Sequence, residues 1–271
     1  MFKINNLTYQ YDKTRKALDN VSMEFNKGNI IGIIGSNGSG KSTLFNNLMG
    51  ILKSTEGEIL YNGEQIKYDK KSLYNLRKEV GIVFQDPEKQ IFYSMVYDDI
   101  AFALRNIGID EKTIKERIHT ALEAVNGLQF IDRPVHNLSF GQKKRLAIAS
   151  VVAMENKLVL LDEPTAGLDP ISTRAIVDII KGLNDRGVKI IISSHDMNLI
   201  YEICDYIYVL NQGVLINEGT RAEVFVNEEK INEAGLELPW LVKLHKNMGL
   251  PLFTREEDLY SYWNHREQKT V

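Results

Sequence analysis

The nine residues Gly35-Ser36-Asn37-Gly38-Ser39-Gly40-Lys41-Ser42-Thr43 decide the fold of this chain. They follow an apolar run at 30–34 and precede residues 44–49, whose apolar residues have the spacing of a helix. A strand, a glycine-rich turn and a helix are typical of a phosphate-binding loop when the turn reads GxxxxGK followed by Ser or Thr. The stretch therefore predicts an α/β unit with an anion site at the turn.

Each residue type in this loop has a chemical reason to be there. Glycine lets the backbone wrap closely around an anion, and the helix N-terminus adds unpaired N–H groups and a positive dipole end. We expect Lys41 to contact the β- and γ-phosphates of a nucleotide and the Ser42 hydroxyl to contact Mg²⁺. The alternative, a glycine-rich turn with a chance Lys-Ser pair, is disfavoured by the strand and helix around it. The expected nucleotide-binding residues of the loop are Ser36, Asn37, Gly38, Ser39, Gly40, Lys41, Ser42 and Thr43.

The composition limits the function classes. The chain has 271 residues, 44% of them hydrophobic and 25% charged, as in globular proteins of one or two domains. Its net charge of −3 gives no indication of nucleic acid as a partner. The one cysteine, Cys204, excludes an internal disulfide and indicates a reducing compartment. The N-terminus lacks the apolar core of a signal peptide, and no apolar run approaches about 18 residues, so we expect any membrane role to come through partners.

Apolar patterning predicts antiparallel strands followed by a mainly parallel sheet with helices. Residues 2–26 alternate apolar and polar in places, as antiparallel strands with one wet face do. The short apolar runs 80–84, 157–161 and 190–192 are typical of buried strands. Residues 228–271 are rich in Glu and Lys with scattered Leu, and they predict a small helical appendage. Other expected elements are helices over 96–126 with a break at 108–110, over 141–154 and from Pro170 to about 187, and a hairpin over 206–216.

An acidic pair, Asp162 and Glu163, directly follows the buried run 157–161. In a parallel sheet, ligands bind outside the carboxyl ends of the strands, and the glycine-rich loop lies at the same edge. We therefore expect Asp162 to bind Mg²⁺, directly or through water, and Glu163 to act as the base that deprotonates an attacking water. Without the loop, such a pair would more often be a turn than a site.

Three further side chains are candidates because of where they stand. His195 and Gln85 each follow a predicted buried strand. We expect His195 to contact the γ-phosphate or the attacking water, and Gln85 to contact Mg²⁺ or water, in catalytic roles. Tyr11 could stack on an adenine ring, because every base offers a π-face. Alone, each would read as a turn residue or a strand aromatic.

A second anion site is expected at residues 138–142, Leu-Ser-Phe-Gly-Gln, where the helix over 141–154 opens. Its candidate contacts are Ser139, Gly141 and Gln142. Two phosphate-binding helix starts with only one glycine-rich loop indicate a head-to-tail pair of subunits. Each nucleotide would then lie between the loop of one subunit and residues 138–142 of the other, so these three residues are expected to bind nucleotide in trans.

The ordered set of motifs resembles the nucleotide-binding subunit of an ABC transporter. The set consists of GSNGSGKST, Gln85, LSFGQ, LVLLDE, residues 167–169 and His195, and the resemblance covers about residues 2–226. It implies ATP and Mg²⁺ as cofactors and an α/β fold with a P-loop (RecA-like) core and a mainly parallel sheet. It also implies an N-terminal antiparallel β-subdomain and a helical subdomain over about 86–154. We expect residues 1–227 to form the ATPase domain and 228–271 a C-terminal helical extension.

A finer resemblance concerns residues 84–92, residues 138–145 and the C-terminal segment. Together they are similar to the ATPases of energy-coupling-factor importers, which take up cobalt, nickel or vitamins. Phe140 departs from the commonest signature, which has a second glycine there, but Ser139 and Gly141 are intact and activity is expected. The resemblance implies a second ATPase subunit (the same chain or a paralogue), a transmembrane scaffold subunit and a membrane substrate-binding subunit. It places the chain at the cytoplasmic face of the cell membrane.

The favoured function is therefore the ATPase motor of a transition-metal importer for cobalt or nickel, with a water-soluble vitamin as the alternative substrate. A soluble ABC-type ATPase acting on DNA or the ribosome is disfavoured, because the chain has one cassette, no heptad insertion and no basic patch. An exporter motor is disfavoured because such cassettes are often fused to membrane helices.

Two segments of the sequence are candidates for contacts with other subunits. Residues 85–99 would carry the nucleotide state to the membrane partner, unless Ile91 and Phe92 merely fill the core of the helical subdomain. Residues 228–271 would pair two ATPases, unless they form a solvated tail. The apolar residues behind this second hypothesis are Leu236, Leu238, Trp240, Leu241, Leu244 and Leu250.

Overall fold

A computed structural model describes residues 1–12 and 15–267 of the chain. The strands of these residues form two sheets. They are β1 (Phe2–Gln10), β2 (Lys16–Glu24), β3 (Ile30–Ile34), β4 (Glu56–Tyr61), β5 (Glu64–Gln65), β6 (Val80–Val83), β7 (Leu158–Asp162), β8 (Lys189–Ser194), β9 (Tyr206–Asn211) and β10 (Val214–Thr220). The smaller sheet has the order β2-β1-β4-β5, and the larger has the order β10-β9-β3-β8-β7-β6.

The strand before the glycine-rich loop, β3, lies inside the larger sheet. It runs parallel to β8 on one side and to β9 on the other, and β7 and β6 continue the parallel arrangement. Every residue of β3 and β7 is buried, as expected for strands covered on both faces. The carboxyl ends of β3, β6, β7 and β8 therefore meet at one edge of the sheet. The loop, Gln85, Glu163 and His195 all follow these strand ends.

The smaller sheet is antiparallel, as the alternation of apolar residues predicts. β1 pairs with both β2 and β4, so that Ile4 lies opposite Met23 on one side and Ile59 on the other. The buried residues of these strands share a core cluster with Leu44 and Phe45, which belong to the helix after the loop. The smaller sheet thus holds that helix from one side.

Eleven α-helices occur in the described part of the chain, and none is long and apolar enough to cross a membrane. The helix over Lys70–Glu79 is absent from the sequence prediction, which assigns no element there. The helices are α1 (Lys41–Leu48), α2 (Lys70–Glu79), α3 (Val96–Asn106), α4 (Glu111–Ala124), α5 (Phe140–Ala153), α6 (Pro170–Asp185), α7 (Met197–Ile203), α8 (Arg221–Val226), α9 (Glu228–Glu233), α10 (Trp240–Met248) and α11 (Glu256–Glu267).

The polar residues at the starts of the helices explain where they begin. The Asp110 carboxylate accepts a hydrogen bond from the Thr113 N–H at 3.0 Å, and this cap starts α4 after the predicted break. Asp169 accepts from the Ser172 N–H at 2.9 Å, and Pro170 occupies the first turn of α6. Both helices begin where the sequence predicts.

The C-terminal helices are part of the main core. Ile231 and Val242 are fully buried in the same cluster as the residues under the larger sheet, and the Trp240 N–H donates to the Asn198 side chain at 2.9 Å. The solvated-tail alternative is therefore wrong for this segment. Residues that motivated the pairing hypothesis, namely Leu236, Leu238, Leu241 and Leu250, are buried within the chain itself. Residues 268–271 of the predicted extension lie outside the described residues.

Candidate active site

A pocket of about 390 Å³ opens at the carboxyl ends of the parallel strands. Most of the sequence candidates line it: Tyr11, Asn37, Gly38, Gly40, Lys41, Ser42, Thr43, Gln85 and Glu163. Ser36 and Ser39 belong to the same loop without lining the pocket. Asp162 and His195 do not line it either: Asp162 is linked to Glu163 through Ser193, and His195 contacts the Glu163 carboxylate. The structure thus brings together residues that are up to about 150 positions apart in the chain.

The glycine-rich loop is closed against β2 on one side and open on the other. Gly40 has a φ of 107°, and a Cβ there would lie 2.6 Å from the Ala17 carbonyl oxygen, so only glycine fits. At Gly38, by contrast, an added Cβ meets nothing within 4 Å. The open side leaves space for a phosphate chain beside the start of α1, where helix N–H groups attract anions.

The Lys41 side chain holds the glycine-rich loop in place by donating hydrogen bonds to two carbonyl oxygens of the loop. Its Nζ donates to the Gly35 oxygen at 2.7 Å and to the Ser36 oxygen at 3.2 Å. The side chain is buried, and its Nζ lies 3.7 Å from Oε1 of Glu163. Burial lowers the pKa of the Lys41 ammonium, while Glu163 and Asp162 oppose that effect. A phosphate anion would supply the further negative charge that favours the ammonium.

Glu163 is the strained residue of the site. Its φ of 47° is unusual for a residue with a Cβ and costs about 1–3 kcal/mol. The Glu163 N–H donates to the Ser193 hydroxyl at 3.0 Å, and its Oε2 lies 2.7 Å from His195 Nδ1. Among the described residues, Oε1 has no hydrogen-bond partner although it is buried. A buried acceptor at a pocket wall is suited to receive a water molecule, as the predicted role requires.

Asp162 lies one layer deeper than the pocket. Its Oδ1 accepts a hydrogen bond from the Ser193 hydroxyl at 2.5 Å. Among the described residues, no group of three His, Cys, Asp or Glu could hold a metal ion. Mg²⁺ commonly needs only one or two carboxylates, with substrate phosphates and water supplying the rest. The set of the Ser42 hydroxyl, the Gln85 amide and the Asp162 carboxylate fits that donor chemistry.

Tyr11, the residue expected to contact adenine, lines the pocket together with three residues that the sequence analysis did not predict. Tyr11 is 64% exposed, and its hydroxyl lies 3.1 Å from the Thr43 hydroxyl. Asp12, Arg15 and Ala17 line the same wall. The sequence feature that could have predicted these three residues is their position beside Tyr11, between two predicted strands whose ends face the loop. An exposed ring at the pocket mouth suits the predicted adenine contact.

The predicted second anion site does not reach this pocket. Ser139 and Gln142 form a capping box at the start of α5, in which Gln142 N–H donates to the Ser139 hydroxyl at 3.3 Å and Ser139 N–H donates to the Gln142 amide oxygen at 2.9 Å. Neither these two nor Gly141 lines the pocket. Within one chain, the loop and residues 138–142 are therefore separate surfaces.

A family model described as ABC transporter matches residues 18–166, which is more than half of the chain. The chain belongs to the ABC transporter family. Its P-loop fold, with an antiparallel N-terminal sheet and a mainly parallel core sheet, is confirmed, and it is an ATP-binding and ATP-hydrolysing ABC ATPase.

Relatives of this ABC ATPase match almost its whole length. It is 45% identical over 269 residues to the cobalt import ATP-binding protein CbiO of Salmonella typhimurium, covering 99% of this chain and 97% of that one. It is 44% identical over 238 residues to the energy-coupling factor transporter ATP-binding protein EcfA of Methanocaldococcus jannaschii, covering 88% and 85%. The structure of cbiO1 from Clostridium perfringens, part of the ABC transporter complex cbiONQ, matches with a TM-score of 0.77 and 41% identity, covering 90% of this chain and 98% of that one.

A further polar residue near the active site of this ABC ATPase, Lys144, escaped the sequence analysis. It is fully buried, and its Nζ donates to the Glu163 carbonyl oxygen at 2.9 Å. Burial lowers its pKa to about 8, with Glu163, Asp162 and Asp86 opposing. The run of basic residues at 143–145 looks like a solvated face. The apolar residues three, four and seven positions after Lys144 were the signal that it faces inward.

Proposed function

We propose that this ABC ATPase powers the import of a transition metal ion, cobalt or nickel, through separate membrane subunits of the energy-coupling-factor type. The observation that carries the proposal is the near full-length match to a cobalt import ATP-binding protein. The match to the energy-coupling factor relative covers less of both chains and names no substrate, so a water-soluble vitamin is kept as the second candidate substrate. The proposed location is the cytoplasmic face of the cell membrane, on which the ATPase is peripheral.

The hydrolytic step follows from the arrangement around Glu163. Oε1 of Glu163 accepts a proton from the attacking water, while His195 at Oε2 fixes the direction of the carboxylate. Lys41 and the N–H groups of the loop stabilise the negative charge of the phosphates. Bound Mg²⁺ would supply positive charge that offsets the negative charge developing on the phosphates. Ser42, Gln85 and Asp162 are its proposed contacts.

The nucleotide site is completed by a second ATPase subunit, either the same chain or a paralogue. Ser139, Gly141 and Gln142 lie at a helix start that does not line the chain's own pocket. In a head-to-tail pair, each helix start faces the nucleotide of the partner, and two such sites close with twofold symmetry. ATP binds the closed pair better than the open one, and this difference in affinity supplies the drive.

The proposed contact with the transmembrane scaffold subunit is an apolar surface after Gln85, formed by Ile91, Phe92 and Tyr93. Phe92 is 77% exposed, so it does not fill the core of the helical subdomain, and Tyr93 packs at 5.2 Å against the exposed Phe102 ring. The buried Asp99 carboxylate accepts from the N–H groups of Phe92 and Tyr93 at 2.8 and 3.1 Å, which fixes the segment. An exposed aromatic group in a fixed segment suits a short helix of a partner.

The test is uptake by the reconstituted transporter. The tagged chain is purified from native membranes with its partners, these are placed in vesicles, and uptake of cobalt, nickel and labelled vitamins is measured with ATP on the ATPase side. We expect a scaffold and a substrate-binding membrane subunit to co-purify and metal uptake to require ATP. Glu163→Gln should retain ATP binding and lower turnover and uptake by about a hundredfold or more.

Two results would contradict the proposal at different levels. Uptake of a vitamin without uptake of metal would reject the metal substrate while keeping the importer. Recovery of the chain without any membrane subunit, with normal ATP turnover, would reject the transport role in favour of a soluble ATPase. Unchanged turnover in Glu163→Gln would reject the assignment of the base.

A further inference from the structure

The start of α5 lies directly against the segment that follows Glu163. A Cβ on Gly167 would meet the Phe140 ring at 3.3 Å, and a Cβ on Gly141 would meet the Ser172 hydroxyl at 3.3 Å. Between these contacts, Lys144 donates to the Glu163 carbonyl oxygen at 2.9 Å. The helix whose first turn is proposed to serve the partner's nucleotide therefore also contacts the backbone of the chain's own proposed base.

We propose that Lys144 is a positioning residue for ATP hydrolysis, which holds the Glu163 peptide in the orientation that directs Oε1 into the pocket. The inference rests on the proposed function, in which Glu163 is the base. Lys144 itself touches neither the pocket nor the nucleotide loop, so it acts through Glu163.

The backbone of Glu163 needs support at both ends because its conformation is unfavourable. Its N–H is held by Ser193, whereas among the described residues its carbonyl oxygen accepts only from the Lys144 ammonium and, at 3.2 Å, from the Ala166 N–H. A charge-assisted hydrogen bond is stronger than one between neutral groups. Loss of the ammonium leaves the peptide with a neutral partner at its carbonyl end, and the peptide can then rotate towards an ordinary conformation.

The groups around the Lys144 side chain favour a positive charge. Its Nζ lies 5.6 Å from the centre of the Phe140 ring, a cation–π distance. The carboxylates of Glu163, Asp162 and Asp86 all favour its ammonium form.

The first experiment compares Lys144→Met with Lys143→Met. Methionine keeps an unbranched apolar side chain but has no donor, while Lys143 is the adjacent lysine of α5 and pairs with Glu88 at 2.5 Å instead of with Glu163. We expect Lys144→Met to lower kcat by roughly ten- to a hundredfold with little change in KM, in ATP affinity or in melting temperature. Lys143→Met should hydrolyse ATP like the wild type, and Lys144→Arg should recover part of the lost kcat.

The second experiment asks whether Lys144 acts through Glu163. In a Glu163→Gln background the base is already gone, so adding Lys144→Met should not lower the residual turnover further. We expect Glu163→Gln to accumulate an ATP-bound dimer because hydrolysis is blocked, and the double variant should still form this dimer, as measured by sedimentation. A residue that merely supports the start of α5 would instead weaken this dimer.

The proposal is overturned by normal kcat in Lys144→Met, by an additive loss in the double variant, or by loss of its ATP-bound dimer. If Lys144→Met does not fold, Lys144→Gln takes its place, because its shorter side chain is polar but carries no charge. A normal kcat in Lys144→Gln then overturns the proposal. These failures differ from failure of the proposed function, which appears as normal turnover in Glu163→Gln alone.

Discussion

Lys41 and Glu163 are both buried at one pocket, with the Lys41 Nζ 3.7 Å from Oε1 of Glu163. The Lys41 ammonium is satisfied by two loop carbonyls, and Oε1 of Glu163 by no hydrogen bond from the described residues. Such incomplete pairing is costly in a folded protein, and it is typical of sites where a ligand supplies the missing contacts. In this pocket the missing contacts fit a phosphate group beside Lys41 and a water beside Glu163.

Replacement of Lys41 by alanine should weaken ATP binding. Hydrogen bonds to a charged group contribute about 1.5–3 kcal/mol, so affinity for a fluorescent ATP analogue should fall roughly 10- to 100-fold. Lys67→Ala, which removes an exposed lysine remote from the pocket, is the matched control. Unchanged affinity in a folded Lys41→Ala protein would mean that the loop is not the nucleotide site.

The contrast between Gln85 and Lys144 shows what sequence could predict at the residue scale. Gln85, Glu163 and His195 were predictable because each follows a buried strand, and parallel strands end at the same edge of their sheet. Lys144 was not, because its role depends on how α5 packs against the segment after β7. A charged residue in a basic run is normally solvated; the spacing of the apolar residues after Lys144 indicates an inward face, but only the tertiary contact shows which group it binds.

Among the elements, α5 connects the proposed trans site, the segment after Gln85 and the proposed base. Its first turn carries the proposed trans site, Lys143 contacts Glu88 beyond the Gln85 strand, and Lys144 contacts Glu163. Gln90, which follows the same strand, donates to the Ala147 carbonyl of α5 at 3.1 Å. A shift of α5 when two chains close would therefore reach both the base and the proposed docking surface.

Phe92→Glu should separate docking from hydrolysis. Phe92 is largely exposed, so the isolated chain should keep its melting temperature and ATPase activity. Loss of a central aromatic contact should cost the complex about 2 kcal/mol or more, a roughly thirtyfold loss of affinity for the membrane subunit. Val214→Glu, at an exposed apolar position of β10, is the control. Normal co-purification and uptake with Phe92→Glu would place the docking surface elsewhere.

The C-terminal helices show where patterning alone misled the sequence interpretation. Scattered apolar residues among many charges suggested a surface for pairing, but α10 and the segments on either side of it pack those residues into or against the main core. Helix starts and strand ends are local features that capping and apolar runs predict well. The partner of an amphipathic helix is set by the whole fold. We keep the division into an ATPase domain at 1–227, with its helical subdomain at about 86–154, and an extension at 228–271 as a proposal.

For the whole molecule, the central claim is that two chains share each nucleotide. The pocket and the residues directly beside it contain the predicted phosphate contacts except those of the helix start at 138–142, which does not line the pocket of the same chain. A single chain is then incomplete, and the symmetry of a head-to-tail pair completes two sites at once. The alternative is that each chain uses its own loop and helix start after a rearrangement.

Mixed dimers test this claim most directly. One mixture combines Lys41→Ala chains with Ser139→Arg chains, and the other combines a Lys41→Ala/Ser139→Arg double variant with wild type. Different affinity tags on the two chains allow isolation of dimers that contain one of each. If sites are shared, the first mixed dimer retains one intact site and shows up to about half of wild-type turnover, while the second has none. Turnover in the second mixed dimer and none in the first would contradict the account.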